Sequence, residues 1–181
     1  MSALSSIARF APSPTGPLHF GSLVTALASF LDARQRLGQW LVRIEDLDPP
    51  REVAGASDQI LRQLESHGLC WDGTVLYQST RLEAYAAALE SLLASELVYH
   101  CRCNRQRIQS LGGIYDGHCS ELQLPSNDCA ARLRVNDTRL SFNDQIIGQY
   151  QQNLKTELGD FVVRRRDGLF SYQLAVVVGD E

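Results

Sequence analysis

Apolar positions along the chain follow two rhythms, and the switches between them predict its elements. Residues 7–10 form a short apolar run that breaks at Pro12, Pro14 and Pro17. This reads as a strand running into a loop held extended by residues that cannot donate a backbone hydrogen bond. From about Phe20, the residues Leu23, Ala26, Leu27, Phe30, Leu31 and Leu37 recur at spacings of three and four. That period predicts an amphipathic helix, with Gly38 as its stop. Residues 39–45, carrying Trp40, Leu41, Val42 and Ile44, read as a second strand. Strand, helix and strand make a parallel crossover, the start of a doubly wound sheet. Such sheets bind ligands at the carboxyl ends of their strands, where Arg9 and the run Glu45-Asp46-Leu47-Asp48 fall.

The remaining pattern is more varied. Residues 57–67 predict a short helix with Ile60, Leu61 and Leu64 on one face, closed by Gly68. Cys70 reads as a packing cysteine and Trp71 as core. Thr80 with Glu83 three positions on reads as a capping box, opening a helix that bears Leu82, Tyr85, Ala86, Leu89, Leu92 and Leu93. Residues 97–99 look like a strand. Two short strands within 130–143 (Leu133 and Val135; Leu140 and Phe142) are expected to return the chain to the main body. Residues 160–165 predict another strand, and Asp167-Gly168 a turn. The tail, residues 169–178, is rich in β-branched positions, which favours strand on propensity alone.

Composition and charge narrow the function. The 181 residues suffice for one domain with a real core and a small insertion. A net charge of −4 excludes a globally basic nucleic-acid binder. Any such contact needs local patches, for which Arg102, Arg105 and Arg107, then Arg132 and Arg134, then Arg164, Arg165 and Arg166 are the candidates. No apolar run reaches the length of a membrane span, and the N-terminus lacks the pattern of a signal peptide. The expected location is cytoplasmic. Five cysteines, two of them spaced as Cys101-Arg102-Cys103, then favour metal over disulfides. With Cys119 they offer three thiolates, and zinc needs one more ligand. Gly112, Gly113 and Gly117 lie between, in a stretch with little core of its own. On chemistry alone His118, His100 or Cys129 is a better fourth ligand than Tyr115, because phenolate is an uncommon one.

The stretch from residue 9 to 22, Arg-Phe-Ala-Pro-Ser-Pro-Thr-Gly-Pro-Leu-His-Phe-Gly-Ser, joins a strand, a rigid loop and a helix start. A helix N-terminus is a ready anion site, because its first amides are unpaired and its dipole end is positive. These residues resemble the signature of class I aminoacyl-tRNA synthetases, with His19-Phe20-Gly21-Ser22 at the tetrad that family writes H-I-G-H. The preceding residues resemble its glutamyl/glutaminyl branch. Arg43-Ile44-Glu45-Asp46-Leu47-Asp48 with Pro49 and Arg51 is similar to that branch's R-I-E-D-T-D-x-x-R. Leu69-Cys70-Trp71-Asp72 and Tyr77-Gln78-Ser79 are similar to further stretches of it. Its Y-x-x-A-x-V-V-D-D stretch implies that the tail is a helix beginning near Tyr172, with Gly179-Asp180 where the family has two aspartates.

The resemblance implies a Rossmann-like α/β catalytic domain over 1–97 and 131–181, incomplete at its C-terminus, with a small zinc-binding insertion over 98–130. It implies His19, Gly21 and Ser22 as catalytic residues. Pro12, Thr15, Gly16, His19 and Gly21 would bind ATP, which enters with Mg2+ as substrate. Arg9, Phe10, Ala11, Pro12, Ser13, Glu45 and Tyr172 would bind L-glutamate. A guanidinium fork matches the side-chain carboxylate, which suits Arg9, and a carboxylate suits the α-ammonium, which suits Glu45. The spacing Cys101-x-Cys103-x11-Tyr115-x3-Cys119 resembles the zinc site of one branch, the glutamyl-Q tRNA(Asp) synthetases, and implies those four residues as ligands of one structural Zn2+ per chain. That branch activates glutamate with ATP and transfers it to queuosine in the anticodon of tRNA(Asp). The expected partners are thus glutamate, ATP and that tRNA, with no membrane, and the chain acting as a monomer. Two alternatives stand beside it. One is a piece of a glutamyl-tRNA synthetase that charges the tRNA 3′ end. The other is a non-catalytic paralogue, because the family's K-M-S-K-S-like loop and a further glutamate-site arginine would lie beyond Glu181.

Overall fold

The computed structural model describes residues 6–180 and divides the chain into two compact units, residues 1–82 and 83–181. In the first, β1 (Ile7–Phe10), α1 (Phe20–Gln35) and β2 (Gln39–Ile44) form the expected crossover. β1 pairs with β2 in parallel, from Ile7 opposite Gln39 to Phe10 opposite Val42. A three-residue 3-10 turn (Pro49–Arg51) and α2 (Ala56–Ser66) lead to β3 (Leu76–Tyr77), which adds in parallel to the other side of β2. The sheet order β1-β2-β3 puts the most apolar strand in the middle. Trp40, Val42 and Ile44 are buried there with Ala26 and Ala33 of α1, and with Ile60 and Leu64 of α2. Burying an isoleucine or leucine of this kind stabilises by about 1.5–3 kcal/mol. Trp40 stacks on Phe10, meets Phe30 edge-on at 5.3 Å, and donates its indole N–H to Ser29 Oγ at 2.9 Å.

Two details of this unit correct the periodic reading. α1 turns Ala26, Phe30 and Ala33 to the sheet, while Leu27 and Leu31 are exposed. Leu37 lies outside the helix in the left-handed region (φ 53°), 94% exposed. A small-residue face lets the helix approach the strands closely, so alanines rather than leucines mark it. Gly38 does follow the helix, but for a different reason from a left-handed cap. A Cβ there would stand 2.1 Å from the Ser6 carbonyl oxygen, which accepts the Gln39 amide at 2.8 Å. Cys70 is exposed and does not pack. Its neighbour Trp71 does lie against the core.

The second unit holds α3 (Leu82–Ala94, whose first residue falls at the boundary) and the antiparallel sheet β4-β5-β8. The capping box is not formed. Residues Gln78–Arg81 make a 3-10 turn instead, and Thr80 donates its hydroxyl back to the Tyr77 carbonyl at 2.7 Å. β4 (Val98–Cys101) is longer than expected and carries Cys101 as its last residue. α4 (Arg105–Ser110) follows, capped by Asn104. β5 (Ala130–Leu133) pairs with β4 and with β8 (Phe161–Arg164), with a register irregularity at Ala131 and Arg132. β6 (Arg139–Asp144) does not join this sheet. It pairs only with β7 (Gly148–Asn153) in an exposed hairpin that the sequence pattern did not indicate. A single π-helical turn (Leu154–Leu158) leads into β8, and the turn at Gly168 is present. α5 (Tyr172–Gly179) confirms the helical reading of the tail, with Ser171 accepting the Leu174 amide as its cap.

Candidate functional site

Residues 10–25 of the first unit line a cleft of about 300 Å³. Phe10, Ala11, Pro12, Ser13, Thr15, Gly16, His19 and Ser22 all line it, as the sequence predicts, and Leu18 and Thr25 join them. Backbone bonds hold the loop in place. Pro12 O accepts the Glu45 amide at 3.0 Å, and Pro14 O accepts the Val53 amide at 2.9 Å. A third tie was not foreseen. Gln63 of α2 takes the Leu18 amide on Oε1 at 2.8 Å, and its Nε2 lies 3.5 Å from the Leu18 carbonyl. Leu18 directly precedes His19, so Gln63 fixes the approach to the helix start.

His19 is the N-cap of α1. Its Nδ1 accepts the Ser22 amide at 3.2 Å, and its Nε2 lies 3.1 Å from Ser22 Oγ. With Nδ1 occupied as an acceptor, the ring proton of neutral His19 belongs on Nε2, at an exposed position. A Cβ on Gly21 would meet the His19 ring at 3.1 Å. In the described structure Gly21 therefore makes room for the imidazole. The positive dipole end of a sixteen-residue helix opens beside it.

At the end of β2, buried Arg43 donates to Glu45 Oε1 at 2.9 Å. Such a pair fixes orientation more than it adds stability. Next to it, Asp46 accepts the Ser79 amide and hydroxyl at 2.9 and 2.5 Å, and Asp48 pairs with Arg51. Of the remaining expected residues, Arg9 is half-buried near the end of β1. Tyr172 belongs to the second unit, where it is 62% exposed as the first residue of α5.

The second unit brings the sequence-predicted cysteines together. The sulfurs of Cys101, Cys103 and Cys119 lie within 4.8 Å of one another. Among the described residues no histidine, carboxylate or other cysteine joins them, so His118, His100 and Cys129 are outside the cluster. Tyr115 is inside it. Its hydroxyl accepts the Cys119 amide at 2.8 Å and lies 3.3 Å from Cys101 Sγ and 3.6 Å from Cys103 Sγ. Cys103 and Cys119 sulfurs are 3.5 Å apart. A tetrahedral zinc with ordinary bond lengths has ligand edges of about 3.5–3.8 Å; the Cys103–Cys119 edge and the Tyr115 oxygen edges to Cys101 and Cys103 are close to this, and the group could hold one metal ion.

Burial holds the Tyr115 phenol well above its usual range, and hydrogen bonds to the Cys101, Cys119 and Cys103 sulfurs add to this. Cys119 goes the other way. Burial alone would raise it, but hydrogen bonds from the Tyr115 hydroxyl, the Arg102 amide and the other thiols bring it down to about 7.

The loop is braced from outside as well. Arg107 grips Asp116 with two bonds of 2.9 and 2.7 Å. Gly159 lets the backbone of Tyr115 pair alongside it, where a Cβ would stand 2.8 Å from Tyr115 O. Beside it, buried Asp160 accepts Tyr99 Oη at 2.6 Å and the Val135 amide at 3.0 Å. Most of the candidate basic patches are occupied by these internal contacts. Besides Arg107, Arg132 is buried, Arg134 pairs with Glu121, Arg165 with Asp167 and Arg166 with Asp128. Arg102, Arg105 and Arg164 are exposed.

No helix among the described residues is long and apolar enough to cross a membrane. The chain is 58% identical over 174 residues to the glutamyl-Q tRNA(Asp) synthetase of Serratia proteamaculans, covering 96% of this chain and 57% of that protein. It is 57% identical to the protein of the same name from Escherichia coli K12, again over 96% of this chain and 56% of that one. The chain thus spans somewhat over half the length of the curated relatives it matches. Among solved structures, a glutamate tRNA ligase from Elizabethkingia meningosepticum, crystallised with its amino acid, superposes with a TM-score of 0.81 at 28% identity. That match covers 96% of this chain and 41% of the other. The glutamate-tRNA synthetase of Elizabethkingia anophelis gives 0.82 at 28% identity, over 97% and 42%. The family described as class I tRNA synthetases (E and Q), catalytic domain, matches residues 7–181, and the chain belongs to that family.

Proposed function

We propose that this chain carries the catalytic part of an enzyme that activates L-glutamate with Mg2+-ATP and transfers it to the queuosine base in the anticodon of tRNA(Asp). The observation that carries this reading is the 58% identity, over 96% of the chain, to a protein named for that reaction. In the first step a glutamate carboxylate oxygen attacks the α-phosphorus of ATP, and pyrophosphate leaves. In the second, a hydroxyl of the queuosine base takes the glutamyl group and AMP leaves. No covalent bond to the protein is needed, so catalysis comes from positioning and charge stabilisation.

The cleft residues suit those tasks. His19 Nε2 and the first turn of α1 would hold the α-phosphate. Pro12, Thr15 and Gly16 would shape the ATP side, Gly21 would keep the imidazole seated, and Ser22 would fix its tautomer. Arg9 would read the side-chain carboxylate of glutamate, with Phe10, Ala11, Pro12 and Ser13 as the wall. Glu45, oriented by Arg43, would take the α-ammonium. Cys101, Cys103, Cys119 and Tyr115 would hold one zinc ion. With four protein ligands no position is open for water, so the metal organises the insertion over 98–130 and takes no part in the chemistry. The protein would act in the cytoplasm, as a monomer.

The test is transfer of labelled glutamate, with ATP, onto total tRNA, followed by nuclease mapping. Label in the anticodon fragment is the expected result. Label at the 3′ end would instead mean a glutamyl-tRNA synthetase. Absence of both label and glutamate-dependent pyrophosphate exchange, in a protein of the relatives' full length, would mean a non-catalytic paralogue.

A further inference from the structure

Arg132 is a cation in an unusual place. It sits in the middle strand of the β4-β5-β8 sheet and is only 5% exposed. Among the described residues no carboxylate side chain pairs with its guanidinium. It donates from Nη1 to the Asp160 backbone carbonyl at 2.8 Å, and its Nε has no hydrogen-bond partner. A buried charge with so little polar compensation is costly. What the guanidinium does face is the ring of Tyr115, 4.0 Å from the centroid. The register between β5 and β8 shifts between Ala131 and Arg132, and such irregularities re-aim a side chain.

We propose that Arg132 is a positioning residue for the metal site: its flat guanidinium, lying on the Tyr115 ring, holds the hydroxyl among the three thiols. The inference rests on the reading of Tyr115 as a zinc ligand. Two physical arguments support it. First, a buried tyrosine ring can pivot, and the Cys119 amide restrains only its oxygen end. The guanidinium lies against the face of the ring, and the Gly159 backbone holds only the Tyr115 main chain. Second, three thiolates and a phenolate around a dication carry excess negative charge. A guanidinium over the ring of one ligand offsets it, and the net negative charge of the loaded ligand set in turn compensates the buried Arg132. Each makes the other tolerable, in a sheet interior where the guanidinium meets Asp160 through its backbone carbonyl rather than its carboxylate.

The test compares wild type, Tyr115→Phe, Arg132→Met and Arg132→Lys in the full chain. Zinc affinity is read by competition with a chromogenic chelator, and coordination by the visible absorption of the cobalt(II)-loaded protein. Tyr115→Phe should alter the cobalt spectrum; a wild-type spectrum there would defeat the ligand reading itself. Arg132→Met should weaken zinc by about 10–100-fold and move the cobalt spectrum toward that of Tyr115→Phe. Arg132→Lys keeps the charge but loses the flat contact, and should fall between. If Tyr115→Phe changes the spectrum while Arg132→Met binds zinc as wild type and only melts earlier, Arg132 is merely structural and the proposal is overturned. Should Arg132→Met not fold, wild-type affinity and spectrum in Arg132→Lys overturn it equally.

Discussion

The signature loop of the first unit and the cysteine loop of the second are both short, polar and rich in glycine or proline, yet they are held by different means. The first is tied by backbone groups. Pro12 and Pro14 carbonyls accept amides from beyond β2, and Gln63 clamps Leu18. Its cleft is braced by the chain's own groups. The second points its side chains inward, at one another. Three thiols and a phenol are weak partners for each other, and among the described residues Tyr99, Ile108 and Leu124 supply their added apolar packing. The difference is instructive. On the proposed function, a loop for a ligand that comes and goes is finished by the chain itself, whereas a loop for a resident ion would leave its centre to the ion.

The sharpest way to break that contrast is to take the metal away. Cys119→Ser, or wild type treated with a strong chelator, should lose zinc and melt earlier. The loss is about 4 kcal/mol where free zinc stands a thousandfold above its dissociation constant. ATP binding, read by equilibrium dialysis, should change little. A melting curve indifferent to chelator would show that the cysteine loop is as self-sufficient as the signature loop.

A smaller effect separates the two regions through paired glycines. Gly38→Ala drives a methyl into the Ser6 carbonyl, and Gly159→Ala drives one into the Tyr115 carbonyl. Each should cost about 1–3 kcal/mol of stability in urea unfolding. Only Gly159→Ala should also lower zinc affinity; equal zinc binding in both variants would uncouple Gly159 from the metal loop. Smaller again is Gln63→Ala. It removes one hydrogen bond worth about 1 kcal/mol, so glutamate-dependent pyrophosphate exchange should fall about fivefold. Unchanged exchange would mean the prolines and backbone ties hold the loop alone.

How legible these regions were depends on how local their causes are. The crossover β1-α1-β2 and helix α2 were readable because each is announced by its own period. The cleft was readable from thirteen consecutive residues, Phe10 to Ser22. The cysteine cluster was readable in its thiols, while residue chemistry alone ranked Tyr115 behind His118, His100 and Cys129. Only the fold brings its hydroxyl to the sulfurs. The misreadings share another cause. Leu27 and Leu31 satisfied the helical period but face solvent, because close packing selected the alanine face, and Leu37 lies beyond the helix end. β7 was missed because Gln149, Gln151 and Gln152 show no apolar alternation; the strand is made by pairing with β6, not by burial. Gln63 and Asp160 are single polar residues whose partners lie 45 and 61 positions away, and no local pattern could announce them.

The smallest effect concerns how the first unit fastens its own edges without metal. Asp72 takes Arg34 Nη1 at 2.6 Å and the Trp40 amide at 2.8 Å on the same oxygen, joining the end of α1, the start of β2 and the segment after α2. The hydrogen bond from Arg34, then that from Trp40, holds the Asp72 carboxyl below the usual carboxylate range. A group whose folded pKa is depressed contributes stability above its unfolded value, about 3.9, and loses it as pH falls through the folded one. Asp72→Asn should therefore melt below wild type at pH 7, and the gap should close as the pH drops below about 4. Salt should narrow it too, since the pair is part-exposed. A gap that persists at pH 2 would show that the side chain acts by shape rather than charge. The signature loop's unit would then owe its edge to packing and neutral hydrogen bonds.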